Sequence, residues 1–210
     1  MKRLALVAGT LAMLGGVIAE AQETPRFAFN IGGGFTQPVG GTSRRIDTGW
    51  NVDLGAGYNF HPRVGLIAQW NFNNFGINGS TLNSLGFPDG SMRVWSATLN
   101  PVVHVAPKGP VDVYFIGGGG IYHRTQEFTQ PGVGSAVGFD PFFGFYNFAV
   151  PVNQVLASYS VYKPGVNGGM GFAFGTKWHA KFYMEARYHR IIMGNDRHTD
   201  YVPVTFGIRW

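Results

Sequence analysis

The chain reads as all-β: a closed, eight-stranded, antiparallel up-and-down transmembrane β-barrel, with ten strands as the alternative, preceded by a cleavable signal peptide. Three observations lead there. Apolar residues alternate with polar or small ones at a period of two in eight segments. Short and long connections alternate between those segments. Charged residues are only 13% of the chain, against roughly a quarter in an ordinary soluble domain.

The first 21 residues read as a targeting segment. Met1, Lys2 and Arg3 are a short basic start, Leu4 to Ile18 is almost wholly apolar, and Ala19-Glu20-Ala21 is a small-x-small cleavage pattern. A cut after Ala21 is expected, leaving 22–210 as the barrel domain. The apolar run is short for a spanning helix of about 20 residues, and no comparable run follows. With no cysteine anywhere, the chain has neither a lipoprotein anchor nor a disulfide.

The strands follow in order. Phe27, Phe29, Ile31 and Phe35 alternate with Ala28, Asn30, Gly32 and Gly34. Trp50, Val52, Leu54, Ala56 and Tyr58 alternate with Asn51, Asp53, Gly55 and Gly57. Leu66, Ala68, Trp70 and Phe72 stand between Gln69, Asn71 and Asn73, and Trp95, Ala97, Leu99, Pro101 and Val103 between Ser96, Thr98 and Asn100. Val113, Phe115, Gly117 and Ile121 alternate with Asp112, Tyr114 and Tyr122. Met170, Phe172 and Phe174 close a glycine-rich sixth segment. Phe182, Met184, Ala186 and Tyr188 alternate with Lys181, Tyr183, Glu185 and Arg187. The last strand sets Val202, Val204, Phe206, Ile208 and Trp210 against Tyr201, Pro203, Thr205, Gly207 and Arg209. Each segment is near the about 9–11 residues that cross a bilayer at a tilt.

Short connections are expected at Asn59–Arg63, Ala106–Pro110 and Gly175–Lys177, and long ones at Gln37–Asp47, Asn74–Gly90, Arg124–Lys163 and Ile192–Asp200. That is the asymmetry of short periplasmic turns and long external loops. The third long connection is far beyond an ordinary loop. Val155, Ala157, Tyr159 and Val161 alternate inside it, so either strands five and six run on as a hairpin or two more strands hide there. Pro141, Pro151 and Pro164 favour the hairpin, because proline interrupts a central ladder.

Alternation alone does not say which face meets lipid, since a soluble barrel alternates with its apolar face inward. Here the minor face carries few charges, Asp53, Lys181, Glu185, Arg187 and Arg209, which can pair in a narrow lumen. Aromatics recur at strand ends: Trp50, Tyr58, Phe60, Trp70, Trp95, Trp178, Tyr188 and Trp210. They suit girdles at the two membrane interfaces. Eight strands leave a lumen just wide enough for side chains, so an open pore is not expected.

The ending VPVTFGIRW resembles the C-terminal signal of outer-membrane barrels, with Val204, Phe206, Ile208 and Trp210 carrying the match and Trp in place of the commoner Phe. Tyr183 to His189 and the glycine-rich Val166 to Phe174 resemble strands of the OmpA/OmpX/opacity-type small-barrel superfamily. The resemblance implies an address in the cell outer membrane. Its implied partners are outer-membrane lipids and, during biogenesis, periplasmic chaperones and the barrel-assembly machinery. It implies a fold and not an activity. No peptidoglycan-binding domain is expected after the barrel.

Motifs for chemistry are weak. Gly117–Gly120 is followed by Ile121-Tyr122 rather than the Lys-Ser/Thr of a phosphate loop, and reads as a closely packed strand. Six histidines (61, 104, 123, 179, 189 and 198) form no metal-ligand spacing, and no cofactor is expected. Ser158 or Ser160 with His123 and Glu127 is the one conceivable hydrolase set, without a local signature. Asn78-Gly79-Ser80 reads as loop. Glu185 and Arg187 read as a structural ion pair in the lumen before they read as a gate. The net charge of +5 has no dense basic cluster behind it, which argues against nucleic acid as a partner. Three roles stay open: a structural or interaction barrel with long external loops, a narrow channel for small solutes, and a lipid-modifying enzyme of the outer leaflet.

Overall fold

The computed structural model describes residues 26–107, 111–175, 180–195 and 197–210. The expected signal peptide, Trp178 and His179 lie outside these. Eight strands form one closed antiparallel ring in chain order: β1 (Phe27–Pro38), β2 (Gly49–His61), β3 (Val64–Gly76), β4 (Asp89–His104), β5 (Val111–Asp140), β6 (Gly144–Gly175), β7 (Lys181–Gly194) and β8 (Arg197–Arg209). The ring shuts where β1 pairs with β8, from Asn30 opposite Arg209 to Pro38 opposite Tyr201. No backbone edge remains around the cylinder, which is what hydrocarbon demands of a sheet.

All eight expected strands are present, and every one is longer than expected. At one end β2 turns into β3 through Pro62 and Arg63 alone. At the other end the strands outrun the membrane-crossing stretch. β5 and β6 pair without a break in the ladder's course, from Val111 opposite Phe174 to Asp140 opposite Gly144, with a bulge at Phe128/Thr129. The long third connection is therefore a continuous hairpin and not two further strands. Pro151 and Pro164 are accommodated within β6, while Pro141 sits in the turn.

Polarity follows the expected sidedness through the middle of the barrel. Phe29, Ile31, Leu54, Trp70, Leu99, Phe115, Ile121 and Phe206 are exposed on the outer wall, while Asn30, Asp53, Gln69, Asn71, Asn100, Glu185 and Arg187 are buried inside. Towards the long-loop end the pattern inverts. Phe75, Met92, Val94, Tyr122, Ile191 and Tyr201 turn inward and form one buried cluster, closed from above by Ile46. Their strand neighbours Arg93 and Glu127 pair on the outside, and the half-exposed Arg190 reaches the buried Asp200 (Nε to Oδ1, 3.0 Å). The barrel thus continues above its greasy belt as a collar built like a soluble barrel.

A short helix, α1 (Gly79–Leu85), bridges β3 and β4. Asn78 caps it, its side chain accepting from the Ser80 backbone N–H at 2.9 Å, and Gly86 ends it with φ 74°. Leu82 of α1 joins Ile77 and Phe128 in a second buried cluster, and Phe87 stacks on Phe128 at 4.5 Å. This cluster braces the base of the β5–β6 hairpin.

Candidate functional site

Two regions carry the molecule's chemistry: the lumen and the projecting hairpin. In the lumen, strand parity aims side chains of β2, β3, β7 and β8 at one another. Arg187 is the hub. Its Nε meets Glu185 Oε1 at 2.5 Å, its Nη2 lies 3.6 Å from Asp53 Oδ1, and its Nη1 donates to Gln69 Oε1 at 2.8 Å. Arg209 reaches Glu185 Oε2 at 3.8 Å and lies over the Tyr114 ring, 4.5 Å from its centroid. The Tyr114 hydroxyl donates to Glu185 Oε2 at 2.9 Å. Two guanidinium groups thus face two carboxylates, each with further hydrogen bonds, as buried charge requires.

Four of the five expected lumen residues come together. The fifth, Lys181, sits half-buried on the inward face at the mouth and joins no ion pair among the described residues. Carboxamides matter more than the sequence reading allowed. Asn30 donates to Asp53 Oδ2 at 2.5 Å, Gln69 to the same oxygen at 3.1 Å, Asn100 to Gln69 Oε1 at 2.8 Å and Asn167 to Asn100 Oδ1 at 2.9 Å. Their signal in the sequence was their place on the minor face of four strands, where a lumen needs neutral groups that both donate and accept.

The lumen is not polar throughout. Ile67, Val102, Ile116 and Ala173 pack with Tyr114 and Tyr183, whose hydroxyls reach Glu185 and Asp53 of the ion network, and towards the long-loop end lies the Phe75–Tyr201 cluster. His189 stacks on Tyr201 at 5.1 Å and shares a hydrogen bond with the Tyr122 hydroxyl at 3.0 Å. Charge and apolar packing interleave: Arg209 lies over the Tyr114 and Tyr183 rings, and His104 Nδ1 meets Asp112 Oδ2 at 2.6 Å towards the short-turn end. The glycine run serves close packing: a Cβ on Gly118 or Gly120 would collide with the β4 carbonyl oxygens of Leu99 and Ala97 respectively.

On the outer wall Trp95, His123 and Tyr162 pack ring against ring, with centroids 4.2 to 5.6 Å apart. They mark the upper edge of the greasy belt. Ser160 Oγ does meet His123 Nε2, at 2.5 Å, but Glu127 is engaged by Arg93 and not by the histidine. The three candidate hydrolase residues are therefore not assembled as a triad. Among the described residues no three His, Asp or Glu side chains converge as a metal would need.

Val204, Phe206, Ile208 and Trp210 all lie on the lipid-facing parity of β8, and Trp210 exchanges backbone hydrogen bonds with Phe29 of β1 (2.9 and 3.2 Å). The profile of one family, the outer membrane protein beta-barrel domain, matches residues 8–209. The chain belongs to that family. It is an outer-membrane β-barrel protein, and its strands are the membrane-crossing elements. Among solved structures, this barrel resembles Neisserial surface protein A, at 11% identity and a TM-score of 0.57, over 90% of this chain and 98% of that one. It also resembles a major outer membrane protein from Thermus thermophilus, at 11% identity and a TM-score of 0.54, over 88% and 97%. Both likenesses concern the fold. Among curated protein sequences no match was found.

The hairpin is the feature that eight strands alone do not explain. β4 stops pairing with β5 at Thr129 and β7 stops pairing with β6 at Gly165. From Gln130 to Asp140 the β5 backbone runs on with only β6 beside it, a reach of about 35 Å at ~3.3 Å per residue. Its tip is a turn in which the Asp140 side chain accepts from the Phe142 and Phe143 backbone N–H groups (2.8 and 3.1 Å), and Gly144 takes a φ of 79°. That turn holds the two phenylalanines 91% and 89% exposed.

Proposed function

We infer that the protein is a surface interaction barrel. Its ring anchors it in the outer membrane, its filled lumen seals the cylinder, and the β5–β6 hairpin meets something outside the cell. The observation that carries this is the hairpin, a braced arm reaching past the collar with large apolar side chains left bare. Loops on a rigid scaffold are where such folds place recognition. A conducting role has less behind it, because the Arg187 network and the two apolar clusters packed against it occupy the lumen. An enzymatic role has less still, since Ser160 and His123 meet on the outer wall while Glu127 is engaged by Arg93. Delivery would follow the signal peptide 1–21, with Val204, Phe206, Ile208 and Trp210 as the handle for assembly.

Cells bearing the intact protein should adhere to a target surface, and cells bearing a variant that lacks residues 130–154 should not, at equal amounts of folded barrel. Equal adherence of the two would overturn the reading. Planar-bilayer recording of the purified protein should stay silent; stable unitary steps would return the channel to first place.

A further inference from the structure

Between Glu127 and Lys163 the sequence carries one charged residue, Asp140, and its side chain is turned into the tip turn. An extracellular arm of that composition is unusual, because arms bathed in water are normally polar. The side chains divide over two faces. One carries Val133, Val137, Phe139 and Phe145, the two phenylalanines in ring contact at 5.1 Å. The other carries Val152, Tyr146 and Phe148, with Tyr146 and Val152 lying over the bare backbone of Gly138 and Gly134. Apart from Ser135 and Asn147 on the first face, both faces from Gly132 to Val152 and the tip are therefore apolar at once.

That distribution selects the occupant. A protein groove or a sheet would cover one face and leave the other wet. A second strand added to either free edge would meet Pro131, Pro151 or Pro164, which lack the N–H a ladder needs. A lipid interface surrounds an inserted tip on every side. It welcomes aromatic rings at its headgroup boundary and repels charge. The bare edge amides of a two-stranded ribbon confine it to that boundary, since they cannot be satisfied deeper.

Resting on the reading of the hairpin as the contact arm, we propose that the Phe142–Phe143 tip is a lipid-inserting anchor that docks the protein on an apposed phospholipid surface. Its own leaflet is not the target: the ribbon leaves the wall above the Trp95–His123–Tyr162 girdle and reaches about 35 Å further. The Asp140 turn holds both rings bare at the tip.

The test uses the full chain in lipid nanodiscs, mixed with protein-free phosphatidylcholine vesicles and separated by flotation. The wild type should float with the vesicles, in 1 M salt as well as in dilute buffer. The double variant Phe142→Ser/Phe143→Ser should lose about tenfold or more in vesicle partitioning, the scale expected when two aromatic rings no longer leave water. Heat-modifiable gel migration shows that its barrel is still folded. Flotation unaffected by the double substitution, or abolished by salt, overturns the lipid anchor. So does self-association of nanodisc-embedded protein through the hairpin, read as doubled mass. If vesicles are ignored while cells still adhere through the hairpin, the anchor fails and the interaction reading survives. If deletion of 130–154 changes neither, both fail.

Discussion

Arg187 of β7 and Asp53 of β2 face each other across the lumen, Nη2 to Oδ1 at 3.6 Å, although the strands that carry them do not touch in the ring. This ion pair ties opposite walls of the barrel, with Glu185 and Gln69 completing the guanidinium's partners. Replacing Arg187 with Met should leave Asp53 buried without a cation and Glu185 with Arg209 alone. A loss of about 3–5 kcal/mol is expected. Urea unfolding of the protein in detergent micelles, followed by the heat-modifiable gel shift, measures it.

The glycines of β5 and β6 give a sharper steric contrast. Gly120→Ala would drive a Cβ into the Ala97 carbonyl oxygen, which belongs to backbone and cannot swing away. Gly168 has nothing within 4 Å of a Cβ. The first substitution should cost about 1–3 kcal/mol or block folding, and the second should be close to neutral. Folded yield in outer membranes, compared side by side, decides it.

Protease access should report the hairpin's placement. Trypsin finds no Lys or Arg between Arg124 and Lys163, whereas Phe142 and Phe143 are bare at the tip. Chymotrypsin added to intact cells should cut there, and trypsin should leave the hairpin whole. Protection of the tip from chymotrypsin on intact cells would contradict its external position.

The eight strands were legible because each alternates at period two through the membrane. Their upper ends were not. Beyond Phe72, Trp95 and Tyr188 the alternation keeps its period and reverses its sense: Phe75, Met92, Val94 and Ile191 point inward, while Arg93 and Arg190 point out. A reading that takes apolar to mean lipid-facing stops where the surroundings change from hydrocarbon to water. The same reversal hid the upper plug. In the lumen, the charges were legible because buried charge must pair. The carboxamide scaffold was under-read because asparagine is common in turns as well. The hairpin's continuity was legible from its prolines and alternation, but its bare apolar faces had no counterpart in the pattern.

The last strand offers a test of assembly. Trp210 pairs with Phe29 at the seam, and its side chain stands on the outer wall. Trp210→Ala should lower the share of the protein found folded in outer membranes, with the remainder in the periplasm, and Trp210→Phe should restore it. Equal folded shares for all three would separate the C-terminal residue from recognition by the assembly machinery.

The β1–β8 seam joins the two strands that lie furthest apart in the chain. Every other junction in the ring unites strands that are neighbours in the chain. The seam must wait for the final strand to emerge. A ring of the seven earlier strands alone would leave β1 and β7 each with an unpaired margin. Closure is therefore set by connectivity: the cylinder is complete only when the last strand of the chain is in place.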